Sequence, residues 1–167
     1  MIFNFKQHNS DLYNTLLLLS RNTFFYKKIQ LPDSFETRIY LMLMHFSIFM
    51  IIFKKKGKKF QQNSYDSFFH HTENNLREIG LGDVSVNKKM KDMNKILYDI
   101  LLKIEESNKK NEDFNINHKL VIKYFSKLKD PKSNEYLEFR SYFLKFFNFC
   151  FDKPVKNMLE EVSKFEI

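Results

Sequence analysis

The chain has 167 residues, of which 43% are hydrophobic and 17% aromatic, and its formal net charge is +8 at pH 7. This length suits one domain with a single hydrophobic core. Its one cysteine, Cys150, excludes an intramolecular disulfide and a Cys-X-X-Cys metal site.

The amino terminus has no targeting signal that its composition reveals. The first ten residues, MIFNFKQHNS, are too short and too polar for the apolar region of a signal peptide, and they lack the Arg-rich character of a transit peptide. We therefore expect neither export nor import, and a cytoplasmic location.

Helical periodicity dominates the sequence, since the chain has three Gly, three Pro and little alternation of apolar and polar residues. We predict an all-α fold, in a single compact domain over residues 1–167. About six or seven helices are expected, at Ser10 to Ser20, Asp33 to Phe53, Phe60 to Ile79 and Ser85 to Ile104, and at about residues 115–129, 133–151 and 154–165.

Several residues mark where these helices begin and end. Asp33, with Glu36 three residues later, and Ser85 have the chemistry of N-caps. Pro154 is placed for a first helical turn. Gly80 is placed to end the third helix in the left-handed conformation.

The longest apolar segment is the uncharged run from Ile39 to Phe53. A bilayer requires about 20 apolar residues, so this shorter run favours a buried core helix over a membrane span. His45 lies within the run, where it is interpreted either as a hydrogen-bonded core histidine or as a functional group.

A basic cluster follows this helix directly, around Gly57. Its positive charge favours an anionic partner, either the ribosome or an anionic membrane surface, and the alternative is a turn that is merely solvated. The basic cluster consists of Lys54, Lys55, Lys56, Lys58 and Lys59.

The sixth predicted helix carries more aromatic residues than one face can bury. Either neighbouring helices cover the remainder, or an aromatic patch stays exposed for an apolar client. The main face comprises Tyr136, Phe139, Phe143, Phe146, Phe147 and Cys150, and the residues outside it are Tyr142, Phe149 and Phe151.

No catalytic or cofactor-binding pattern is present. The sequence lacks a Gly-X-Ser-X-Gly elbow and a phosphate-binding glycine loop. His70 and His71 are adjacent, so their rings diverge on a helix and do not form a metal-binding pair. We expect a protein that is not an enzyme and that uses no cofactor, no metal and no small-molecule substrate.

Residues 76–86 read LREIGLGDVSV and are followed by NKKMK. This stretch resembles the hallmark of the ubiquinol-cytochrome c chaperone family, LREMGVGDL followed by Val and a basic pair. Phe25-Tyr26, Leu31-Pro32-Asp33, Arg38 and His45 resemble the family's upstream elements in order and spacing. The resemblance covers about residues 20–104, whereas the carboxy-terminal part, about 112–165, has only a helical pattern.

The resemblance implies an assembly chaperone of the short bacterial form. Such a protein binds newly synthesised cytochrome b, its client, and promotes assembly of the ubiquinol-cytochrome c reductase (bc1) complex. It would work in the cytoplasm, attached peripherally to the inner membrane, with the ribosome as a further candidate partner. The oligomeric state stays open.

The resemblance also implies a set of partner-binding residues, although the two glycines and the aspartate also suit a purely structural turn. The set comprises Arg38, His45, Arg77, Glu78, Gly80, Gly82, Asp83, Lys88 and Lys89. The competing function is a basic module, without catalytic activity, that binds RNA, the ribosome surface or an anionic membrane.

Overall fold

A computed structural model describes residues 12–110 and 113–167. Within these ranges the regular structure is entirely helical, which confirms the all-α prediction. Positions 10 and 11 of the first predicted helix lie outside the described residues. The helices are α1 (12–20), α2 (Phe35–Lys55), α3 (Gln62–Glu78), α4 (Asp83–Ser107), α5 (His118–Tyr124), α6 (Asn134–Phe151) and α7 (Met158–Glu161), with a π-helical turn at Phe24–Lys28.

Helix α2 occupies the centre of the molecule. Residues 41–49 are buried without interruption, so the helix is covered on all sides. It packs mainly against α4 and α6, and α3 packs against α4. By length and composition α2 could cross a membrane, but 72% of its apolar window is buried within the protein. This burial is that of a core helix, as the sequence favoured.

The start of α2 differs by one residue from the prediction. Ser34, not Asp33, is the N-cap, and its hydroxyl accepts a hydrogen bond from the Thr37 backbone N–H at 3.2 Å. The Asp33 carboxylate binds the Arg38 guanidinium instead, at 2.6 Å. Both residues have capping chemistry, and the ion pair decides which of them caps the helix.

The turn between α3 and α4 forms a Schellman motif, in which the Gly80 N–H donates to the Arg77 carbonyl and the Leu81 N–H to the Leu76 carbonyl. Gly80 has φ of +96°, as predicted for a left-handed cap. Helix α4 begins at Asp83, so the prediction of Ser85 as N-cap was wrong. Asp83 occupies the first turn, where its charge is favourable to the helix dipole.

The carboxy-terminal helices match the sequence unevenly. Helix α6 matches the predicted range of 133–151 closely, and Ser133 caps it, with its hydroxyl accepting from the Tyr136 N–H at 3.2 Å. Helix α5 is shorter than predicted because Phe125 leaves the helix with φ of −126° and ψ of 71° and, like Leu128, is buried in the core. The single helix predicted at 154–165 is instead a short α7 between two 3₁₀ turns.

The aromatic face of α6 is buried, and so is Tyr142, which the sequence placed outside that face. Neighbouring helices therefore cover most of the aromatic excess. Phe149 is half-buried, and Phe151 keeps 39% of its surface exposed. The exposed aromatic surface of α6 is thus confined to its carboxy-terminal end.

Candidate functional site

A groove of about 510 Å³ opens between the first turns of α2, the middle of α4 and the end of α5. Its charged residues, three acidic and three basic, are Glu36, Lys89, Asp92, Lys95, Asp99 and Lys123. Its apolar and aromatic lining comprises Phe35, Ile39, Tyr40, Met93, Ile96 and Tyr124. This arrangement suits an apolar ligand surface with a polar margin.

Aromatic contacts shape the groove at both of its ends. The ring of Tyr40, on α2, lies 5.1 Å from the ring of Tyr124, on α5. Phe35, the first residue of α2, is 38% exposed, and the Lys89 ammonium lies over its ring at 5.7 Å from the centroid. Lys89 therefore forms part of the groove edge.

Asp99 attaches α5 to α4 at the side of the groove. Its carboxylate is 2.8 Å from the ammonium groups of both Lys103 and Lys123, and it accepts a hydrogen bond from the Tyr124 hydroxyl. Burial raises the pKa of Asp99, but these hydrogen bonds outweigh burial and hold that pKa well below its ordinary value. Asp99 therefore stays ionised at neutral pH, and its partners are Lys103, Lys123 and Tyr124.

Ion pairs hold the α3–α4 turn. Arg77 binds Glu73 at 2.9 Å in the preceding turn of α3 and binds Asp83 across the loop. Glu78, the last residue of α3, is exposed. Gly82 has φ of −74°, and nothing lies within 4 Å of a Cβ built there. The geometry requires glycine at position 80 only.

His45 is fully buried, and each of its ring nitrogens has one partner. The Nδ1–H donates to the Leu41 carbonyl at 2.7 Å, and Nε2 accepts from the Tyr142 hydroxyl at 2.8 Å. Burial lowers the pKa of His45 to about 4. The histidine is accordingly neutral and serves as a polar link between α2 and α6.

The sequence model of the ubiquinol-cytochrome c chaperone family matches residues 27–135. The chain belongs to the ubiquinol-cytochrome c chaperone family. This match confirms the resemblance and extends it beyond residue 104, through α5 to the start of α6. Membership implies a role as an assembly chaperone of the bc1 complex. No curated protein and no solved structure matches the chain.

Most residues of the family hallmark are committed to the turn rather than gathered at the groove. Arg77 pairs with Asp83, and Gly80 shapes the backbone. Lys88 is exposed, whereas Lys89 lines the groove. The predicted partner-binding set is therefore dispersed, because Arg38 is paired at the start of α2 and His45 is enclosed in the core.

The lysines of the basic cluster surround the carboxy-terminal end of α2. The Lys54 ammonium is 2.9 Å from the Glu105 carboxylate, and that of Lys56 donates to the Lys153 carbonyl. Lys58 and Lys59 are exposed. The cluster lies at the end of α2 opposite to the groove.

In the described ranges, no group of three His, Cys, Asp or Glu side chains is arranged to hold a metal ion. Cys150 is buried, and burial raises its thiol pKa to about 12. His71 packs against Tyr13 with ring centroids 5.2 Å apart, while His70 contacts Asn74. The adjacent histidines therefore have separate structural contacts.

Sequence reasoning missed the groove itself. Met93 lies within the predicted fourth helix and Tyr40 within the long apolar run, but nothing in those patterns indicated an opening between them. The contact between Tyr40 and Tyr124 joins distant parts of the chain. Patterns that are local to one helix do not show how three helices meet, so no signal in the sequence indicated the groove.

Proposed function

We propose that this protein holds newly synthesised cytochrome b during assembly of the bc1 complex, and that the groove receives an apolar segment of this client. The observation that carries the proposal is the juxtaposition of an open apolar groove with Lys89, a residue of the family hallmark. All the elements that line the groove lie within the family match.

The groove has chemistry that suits an unfinished membrane protein. A segment destined for the bilayer has apolar side chains without partners until the complex is assembled, and Phe35 with Tyr40 and Tyr124 offers a partly exposed aromatic surface. At about 510 Å³ the groove is ligand-sized, so it fits a few side chains at helical spacing rather than a whole helix.

Site-specific photocrosslinking tests the location. A photoreactive residue at Ile96, inside the groove, should crosslink to newly made cytochrome b in cells. The matched position is Leu102, which lies on the same helix and is 55% exposed but does not line the groove. If both photoreactive variants bind the client with intact affinity and crosslink to it equally, the groove is not the binding site.

The basic RNA- or ribosome-binding module remains the competing function, and it depends on phosphate contacts alone. Such binding is released steeply by salt, because each neutralised phosphate releases a counterion. A complex held in an apolar groove is much less sensitive to salt. Capture of cytochrome b that persists at high salt therefore supports the chaperone function.

A further inference from the structure

The geometry points to a docking site for an anionic phospholipid surface where the ends of α2 and α6 meet. The site joins the basic cluster to Phe151 and Lys153, and we name this whole set the basic corner. Phe151 enters the interfacial layer of the bilayer, and the lysines pair with lipid phosphates. This proposal does not depend on the identity of the client.

Direct contacts make these distant segments one surface. The Lys56 ammonium donates to the Lys153 backbone carbonyl, 97 residues away, at 2.5 Å. The same ammonium lies 5.2 Å from the centroid of the Phe151 ring. The Lys55 ammonium lies 5.9 Å from the centroid of Phe147, one turn earlier on α6. The sequence alone indicated only the lysines between residues 54 and 59.

Phe151 is held in place while part of its surface faces solvent. Its ring stacks on Phe147, with centroids 5.6 Å apart, and Phe147 stacks in turn on Phe114 at 4.3 Å. The exposed fraction of Phe151 is 39%. An ordered, half-exposed aromatic ring beside lysines is typical of proteins that lie in the membrane interface.

The charge of the basic corner is strongly positive. Its six lysines are accompanied by two carboxylates, Asp152 in the same turn and Glu105, which pairs with Lys54. The carbonyl ends of α2 and α6 stabilise nearby ammonium groups, which helps the protein to tolerate this density of charge. Anionic headgroups complement the positive charge that remains.

The packing around Phe151 favours a bilayer over RNA. A nucleobase would bind Phe151 by stacking on a ring face. Phe147 stacks on this ring and the Lys56 ammonium lies 5.2 Å from its centroid, so both already compete with a base for the ring faces. Insertion into the headgroup region requires exposed apolar surface but no stacking on a ring face, and Phe151 is 39% exposed.

Flotation with vesicles tests the proposal on the purified full chain. The vesicles contain phosphatidylcholine and phosphatidylglycerol in equal parts, and vesicles of phosphatidylcholine alone are the reference. Replacing the five lysines of the basic cluster by Gln should weaken binding to the anionic vesicles by about 1,000-fold or more, since each lysine near such a surface contributes about fivefold. Phe151→Ala should weaken it roughly fivefold through lost apolar burial.

A matched variant removes the same charge elsewhere, through Gln substitution at the exposed positions Lys91, Lys109, Lys119, Lys129 and Lys132. It should retain most of the vesicle binding, because the effect depends on local density. Co-sedimentation with ribosomes should be unaffected by Phe151→Ala. The proposal would be overturned if the two lysine variants lost anionic-vesicle binding equally. It would also be overturned if Phe151→Ala left vesicle binding unchanged. If replacing the lysines of the basic cluster abolishes ribosome binding but not vesicle binding, the basic corner binds RNA rather than lipid.

Discussion

The side chain of His45 is fixed in one tautomer by its two hydrogen bonds. The Leu41 carbonyl can only accept, so Nδ1 carries the proton and Nε2 accepts from Tyr142. Burial also raises the pKa of Tyr142, which keeps its hydroxyl a donor. A second proton on His45 would oppose the Tyr142 O–H and place a charge in the core.

This arrangement predicts a loss of stability in acid. The pKa of His45 falls from 6.5 in the unfolded chain to about 4 in the fold, so stability is full above 6.5 and declines as the pH falls towards 4. Between pH 7 and pH 5 the loss from this group should be about 2 kcal/mol. Urea unfolding at both pH values measures it.

The His45→Gln variant should be less stable than the parent at pH 7. Because glutamine cannot take up a proton, this variant should lose less stability than the parent on acidification. His70→Gln, on the exposed face of α3, is the control and should retain the parent's loss. If the His45 variant and the parent decline in parallel, the histidine is not the group that titrates.

At the scale of the elements, the α3–α4 turn shows which parts of the hallmark are structural. A residue with a Cβ pays about 1–2 kcal/mol to enter the left-handed conformation, the region where Gly80 lies. Gly82 has ordinary extended backbone and free space around it. The two glycines of the same motif therefore have different roles.

Gly80→Val should lower the free energy of unfolding by about 1–2 kcal/mol. Gly82→Ser should be neutral or slightly stabilising, because Gly82 is the N-cap of α4 and a serine hydroxyl can accept from the first turn. Thermal and urea unfolding of both variants provide the comparison. Equal losses at the two positions would contradict the assignment of the left-handed cap to Gly80 alone.

Periodicity predicted most helices because each buries an apolar face that local spacing reveals. Helix ends were less predictable, since Asp33 and Ser34 both have capping chemistry and only the ion pair to Arg38 separates them. Helix α5 ended early because burial of Phe125 and Leu128 outweighed helical propensity. The groove was beyond prediction, as it arises from how α2, α4 and α5 are placed in space.

At the scale of the whole molecule, α2 connects two surfaces of different chemistry. The groove lies at its amino-terminal end and the basic corner at its carboxy-terminal end, so about 20 Å of helix, from Tyr40 to Lys54, separates them. A protein with this arrangement can contact an anionic surface at one end and keep the groove open at the other. The two proposals are therefore separable by mutation.

Deletion of the gene should lower the amount of assembled cytochrome b and the activity of the bc1 complex, with other respiratory complexes nearly normal. Difference spectra of membranes measure the cytochrome. Expression of the Lys88→Glu variant in the deletion strain should restore cytochrome b. Expression of Lys89→Glu should restore it poorly, since Lys89 lines the groove and Lys88 does not.

Both charge reversals lie near the start of α4, where an acidic residue is neutral or favourable to the fold. Lys89→Glu also removes the contact with the Phe35 ring, so thermal unfolding of both variants is measured alongside, and a difference in rescue at equal stability reflects binding rather than folding. Normal cytochrome b in the deletion strain would contradict the function, and equal rescue by the two variants would contradict only the role of the groove edge.

The burial of residues 41–49 of α2 on all sides has a consequence for the synthesis of the protein. Helix α6, which covers one side of α2, begins at Asn134, so residues 56–133 must be translated before the enclosure can close. At roughly 5–20 residues per second this takes several seconds. During that interval a 21-residue apolar helix, long enough to cross a bilayer, lacks the cover that α6 provides. While it is being made, this chaperone thus presents the same hazard as the membrane protein we propose it protects.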